Sequence, residues 1–306
     1  MRAQLAGPSV RFHARRRLST TPSRRAPSHA EAEAARLKQA EEYCRALTRG
    51  TDHPAFLTSY FYPGVARPAF YALHAFHAEI AQVRRKVSKE ILGEMRYTWW
   101  RDAVKSIIAG HPPSHPVCLS LSLAHTLHHL QPYHLTRLIT AYSHPLPPCP
   151  DLADLRTFAQ STRASLMYLC LGILPPLPMR DGAKGEDRVA HAASHVGQAV
   201  GLAGVLRSAG AGEGPMGRSW QGGEELWRDR VKEVASAVRE EVGRAREVLG
   251  GEVGREKMPV FLSAVPALVY VDRLEKAGGD PRVAKARGED WRTSWRVWRA
   301  WRSGVF

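Results

Sequence analysis

Cysteine is scarce in this sequence. The 306 residues hold four, Cys44, Cys118, Cys149 and Cys170. No two are spaced as C-x-x-C, which excludes the common structural zinc layouts. A chain of this length can bury its own core, so a disulfide framework is not expected either. The four are read as buried thiols in a reducing compartment. Long apolar runs are also missing. The greasiest stretch, Val260 to Val271, is interrupted by Ser263 and Pro266 and is too short to span a bilayer. The chain is therefore expected to be soluble or peripheral. Strand-like alternation is absent throughout.

Acids are missing from the start of the chain, where bases are dense. Residues 1–30 contain seven arginines, no lysine and no carboxylate. Arg15, Arg16 and Arg17 stand among Val10, Phe12, Leu18 and several Ser and Thr. That composition is expected of a disordered mitochondrial presequence, drawn inward by a negative-inside potential. Removing those seven from the 44 Lys and Arg leaves 37 bases against 29 acids. The high net charge thus belongs in large part to the leader, and nucleic acid is not an expected partner.

What remains, residues 31–306, reads as one all-α domain of eight or nine helices. Leu37, Ala40, Cys44 and Leu47 share a helical face. Phe70, Leu73, Phe76, Ile80, Val83 and Val87 repeat at helical spacing after Pro68. Further stripes run through Met95, Trp99, Val104 and Ile107, and through Leu123, Leu127 and Leu130. Helices are also expected over 155–174, 189–206, 226–249, 260–274 and 291–301. His125, His128, His129 and His134, and the pair His191 and His195, are read as ordinary helix-face histidines rather than ligands. Gly210 to Pro215 lacks the Lys-Ser/Thr of a phosphate loop and is read as a plain loop.

The segments "ARPAFYALHAFHAEIAQVRRKVS", "EMRYTWWRDAV", "DLRTFAQSTRASL", "GQAVGLAGVLRS" and "AVPALVYVDRLEKAGGDPRV" resemble, in order and spacing, the helices of the squalene/phytoene synthase family. The resemblance covers residues 35–302. It implies an isoprenoid-synthase-type helical bundle with a deep apolar central cavity. Enzymes of that family hold Mg²⁺ ions between two Asp-rich helical motifs, because hard carboxylate oxygens bind the ions that neutralise a departing diphosphate. Here the first motif falls on Ala81-Gln82-Val83-Arg84-Arg85 and the second on Ser208-Ala209-Gly210-Ala211-Gly212. Ala81, Gln82, Arg85, Ser208 and Gly212 stand where carboxylates are needed. Glu79 and Glu213 are the nearest acids.

The resemblance therefore implies a pseudoenzyme with no catalytic residues, no metal and no cofactor; the alternatives are a squalene/phytoene synthase-like prenyltransferase and an isoprenoid or lipid carrier. It is similar to a mitochondrial subfamily of complex I assembly factors. That likeness implies action at the matrix side of the inner membrane, with complex I subunits or other assembly factors as partners and a possible lipid in the cavity. At the far end Trp291, Trp295, Trp298 and Trp301 recur at helical spacing, interleaved with Arg292, Arg296 and Arg299. Two readings stay open for that stripe: packing onto the bundle with snorkelling Arg stems, or contact with a membrane interface or a partner.

Overall fold

A computed structural model describes residues 28–87, 89–177, 182–217, 220–251, 253–286 and 291–306. The expected presequence, 1–30, lies almost wholly outside the described residues. The first helix already begins at His29. Ser28 caps it, accepting from the Glu31 amide while Glu31 reaches back to the Ser28 amide at 2.7 Å, a reciprocal box that satisfies two end donors.

The helices are α1 (His29–Thr51), α2 (His53–Thr58), α3 (Arg67–Lys86), α4 (Glu90–Ile108), α5 (Pro116–His128), α6 (Pro132–Ser143) and α7 (Leu152–Ala159). A π-helical turn, Gln160–Ala164, joins α7 to α8 (Ser165–Gly172). Then follow α9 (Gly182–Gly210), α10 (Glu224–Leu249), α11 (Met258–Phe261), α12 (Ala264–Lys276), α13 (Pro281–Ala286) and α14 (Trp291–Ser303). No strand occurs among the described residues. The count exceeds expectation because Pro and Gly break several stretches into short helices. Pro132 starts α6 after His129 closes α5 in the left-handed conformation at φ 51°.

Two groups of helices meet along a shared core. In one, α1 packs on α3 and α5, and α4 on α6. In the other, α9 packs along α10, α12 and α13, with α14 over α12. The α7–π–α8 segment lies between them, touching α3, α6 and α9. Phe70, Leu73, Phe76 and Ile80 of α3 are fully buried, each contributing about 1.5–3 kcal/mol by leaving water.

Two expected stripes are divided between core and solvent. On α4 the buried face is Tyr97, Trp100, Val104 and Ile107, while Met95 and Trp99 are exposed beside Ile91 and Leu92. On α5 the core takes Val117, Cys118, Leu121 and Ala124, leaving Leu123 and Leu127 outside; Leu130 is buried beyond the helix end. Val87 lies just past the end of α3. Three cysteines are buried as expected, but Cys149 is exposed in the Pro-rich loop.

Candidate functional site

Residues 81–85 occupy the last turns of α3, and residues 208–212 the end of α9 and the turn that follows. The fold does bring these two ends together, as the resemblance implies. What meets there is a cation and an anion: Arg85 donates to Glu213 at 2.7 Å. The neighbouring Arg84 turns away, donating to the carbonyls of Tyr142 and Ser143 and pairing with Glu94 at 3.2 Å. Ser208 bonds its own helix through the Val205 carbonyl. Glu79 is held by the Tyr43 hydroxyl at 2.8 Å and by Lys86 at 3.4 Å. Burial, then Glu79 itself, pushes the Tyr43 phenol up to about 12, so it stays a donor. Both nearby carboxylates are thus engaged by this chain's own donors. Among the described residues no group of three or more His, Cys, Asp or Glu could hold a metal ion.

The deep apolar cavity takes a different form here. The hollow between α2, α3, α8, α9 and α12 measures about 10 Å³, room for one water at most. Its walls include Asp52, His74, Arg163 and Arg207. A hollow of that size and charge takes no lipid tail.

The cause lies in α9. Gly197 and Gly201 stand one turn apart against the π turn and the end of α7. A Cβ on Gly197 would lie 2.4 Å from the Ala164 Cα, and one on Gly201 2.6 Å from the Ala159 Cβ. Bare glycine lets the two segments close on each other.

The centre is therefore polar. Arg163 donates to Asp52 at 2.6 Å, and the His74 Nδ1 lies 3.7 Å from the same carboxylate. Tyr142 shares a hydrogen bond with His77 at 3.0 Å. Burial would raise the Asp52 pKa, but Arg163 and His74 overcome it and hold the carboxyl well below its usual range. Burial pushes the His77 pKa far down and that of His74 down, the latter against the pull of Asp52. This network was not among the residues singled out from sequence. Arg163 carried the signal, the only charged residue from Ala159 to Leu171. Its partner is 111 positions away, beyond the reach of any local pattern.

The other histidines are structural in arrangement. His125 meets the Leu130 carbonyl, His134 stacks on Tyr168 at 4.8 Å, and His195 donates to the buried Glu241 at 2.6 Å.

At α14 the two readings divide by residue. Thr293, Val297 and Ala300 face the core, and Trp301 packs on Phe61 at 5.6 Å. Trp291, Trp295 and Trp298 point outward with 72, 49 and 49% of their surface exposed. Arg296 pairs with Asp272 at 2.8 Å. The Arg292 and Arg299 guanidinium groups lie 5.9 Å and 5.6 Å from the Trp291 and Trp295 rings.

Fold and site together define a class: an isoprenoid-synthase-type helical bundle, its two motif-bearing helix ends joined by an ion pair. The chain belongs to the squalene/phytoene synthase family, whose model matches residues 48–299. In fold it is similar to a dehydrosqualene synthase crystallised with ligand, at a TM-score of 0.67 and 14% identity over 89% of this chain and 98% of that one. It is likewise similar to the squalene synthase HpnC from Alicyclobacillus acidocaldarius, at 0.61 and 17% over 81% and 97%. In sequence it is 30% identical over 257 residues to a Rattus norvegicus protein named NADH dehydrogenase (ubiquinone) complex I, assembly factor 6, covering 78% of this chain and 74% of that one. A Drosophila melanogaster homolog of that factor is 26% identical over 264 residues, 77% of this chain and 75% of that one.

Proposed function

We propose that the chain is a non-catalytic assembly factor for mitochondrial respiratory complex I, working at the matrix side of the inner membrane. The observation that carries the reading is the Arg85–Glu213 pair, standing where facing carboxylates would grip metal-bound diphosphate, in a chain whose relatives are named as complex I assembly factors. A guanidinium at that point repels the metal ions the chemistry needs. Ala81, Gln82, Ser208 and Gly212 supply no replacement ligand with charge.

Residues 1–30 act in this reading as the import presequence. The partners are complex I subunits or other assembly factors. The exposed stripe Ile91, Leu92, Met95 and Trp99 on α4 offers them an apolar contact surface of the kind that marks interaction sites.

The test is a deletion strain examined on native gels, paired with an assay of the purified chain. Assembled complex I is expected to fall while the other respiratory complexes and isoprenoid levels hold. The purified chain is expected to give no condensed product from farnesyl or geranylgeranyl diphosphate with Mg²⁺. Normal complex I in the deletion, or a Mg²⁺-dependent product, overturns the proposal.

A further inference from the structure

Among the described residues nothing covers the Trp291, Trp295 and Trp298 rings of α14, and their chemistry names a partner. At 100° per residue Trp291, Trp295, Trp298 and Arg302 share a face. Arg292 and Arg299 border it. Between Trp291 and Ser303 there are four arginines and no acid.

A second observation lies beside it. A groove of about 540 Å³ runs between α12 and α14. Arg239, Arg246, Arg296 and Arg299 line it, above a floor that includes Val265, Leu268 and Val269. Two carboxylates answer those four cations: Asp272 takes Arg239 and Arg296, and Glu275 takes Arg239. Arg246 is engaged by the terminal oxygen of Phe306 instead. Among the described residues Arg299 has no acidic partner. The groove and the helix therefore keep a net positive charge next to exposed indole rings.

Indole rings settle at the level of lipid headgroups, and guanidinium groups take phosphates there. We infer that α14 lies flat on a bilayer containing anionic phospholipid. Trp291, Trp295 and Trp298 enter the headgroup layer, while Arg299 and Arg302 meet lipid phosphates at the mouth of the α12–α14 groove. The core-facing residues of α14 stay on the bundle, so docking needs no unfolding. No helix among the described residues is long and apolar enough to cross a membrane, and this contact asks for none. The inference deepens the proposed inner-membrane location and rests on it.

The test is co-sedimentation of the full chain with phosphatidylcholine vesicles, with and without phosphatidylglycerol. The basic leader is common to every variant, so differences between variants read α14. The parent is expected to pellet with the anionic vesicles and to be released by salt. A Trp295→Ala, Trp298→Ala variant and an Arg299→Glu, Arg302→Glu variant are each expected to bind about tenfold more weakly or worse. Both are expected to keep the parental melting temperature, because the changed side chains are exposed. Brominated lipid is expected to quench tryptophan fluorescence in the parent more than in the tryptophan variant. Either double variant pelleting like the parent, or equal quenching in both, overturns the inference. If vesicles fail to bind the chain but its deletion still depletes complex I, only this inference falls and the assembly role stands.

Discussion

Asp52 and Arg163 form a charge pair in the interior, and such a pair is stable only while complete. Removing one partner from a buried pair costs about 3–5 kcal/mol, whereas replacing both with apolar residues is often neutral. Arg163→Met is therefore expected to lower stability by about that amount in urea titrations. Adding Asp52→Leu to that variant is expected to recover most of the loss; no recovery would show that the two residues do not act as a unit. Acid acts on their neighbours. His77 is neutral when folded because burial depresses its pKa below the ordinary 6.5. In the unfolded chain it takes up a proton near that value. The stability it lends is thus whole above pH 6.5 and is lost as pH falls towards its folded pKa. His74, depressed by burial, adds to the same slope. Asp52, held low, contributes only at more acid pH. The melting temperature is expected to fall below pH 6.5, and His77→Gln to flatten that fall. An unchanged slope in the variant would acquit His77.

Among the elements, α9 shows most sharply how context decides the sign of one substitution. Glycine in a helix interior costs about 1 kcal/mol relative to alanine. At Gly204 a Cβ meets nothing within 4 Å, so Gly204→Ala is expected to stabilise by about 0.5–1 kcal/mol. At Gly197 the same methyl would sit 2.4 Å from backbone. Gly197→Ala is expected to destabilise by about 1–3 kcal/mol despite its better helix propensity, because backbone cannot yield as a side chain can. Thermal melts of the two variants should move in opposite directions. A rise at Gly197 would mean that the π turn gives way. Such close approaches are illegible in a lone sequence, where Gly197, Gly201 and Gly204 look alike. Helix positions were legible because their period is strong on α1, α3 and α10. Facing was not legible on α4, where Ile91, Met95 and Trp99 match the spacing of Tyr97, Trp100 and Val104 on the other side. An apolar period says that a face exists, and only the neighbours say which face is inside. The Trp series of α14 was read as a stripe, and the fold divided it, turning Trp301 inward to Phe61 and the other three to solvent.

At the scale of the whole molecule, the family resemblance carried the fold and the meeting of α3 with the end of α9. It did not carry the close approach of α9 to the π turn, or a cation placed 111 residues from its anion. Neither is a motif. The ion pair at the two helix ends is a surface contact, worth about 0–1 kcal/mol. It does not hold the bundle together. The cohesion comes from the filled interior.

That filling bears on how the molecule meets hydrostatic pressure. Pressure unfolds proteins by eliminating internal voids, and the volume change scales with the void lost. A bundle built to enclose substrate carries such a void as a condition of its work. Here the hollow at the centre is about 10 Å³, so compression finds little empty space to remove there.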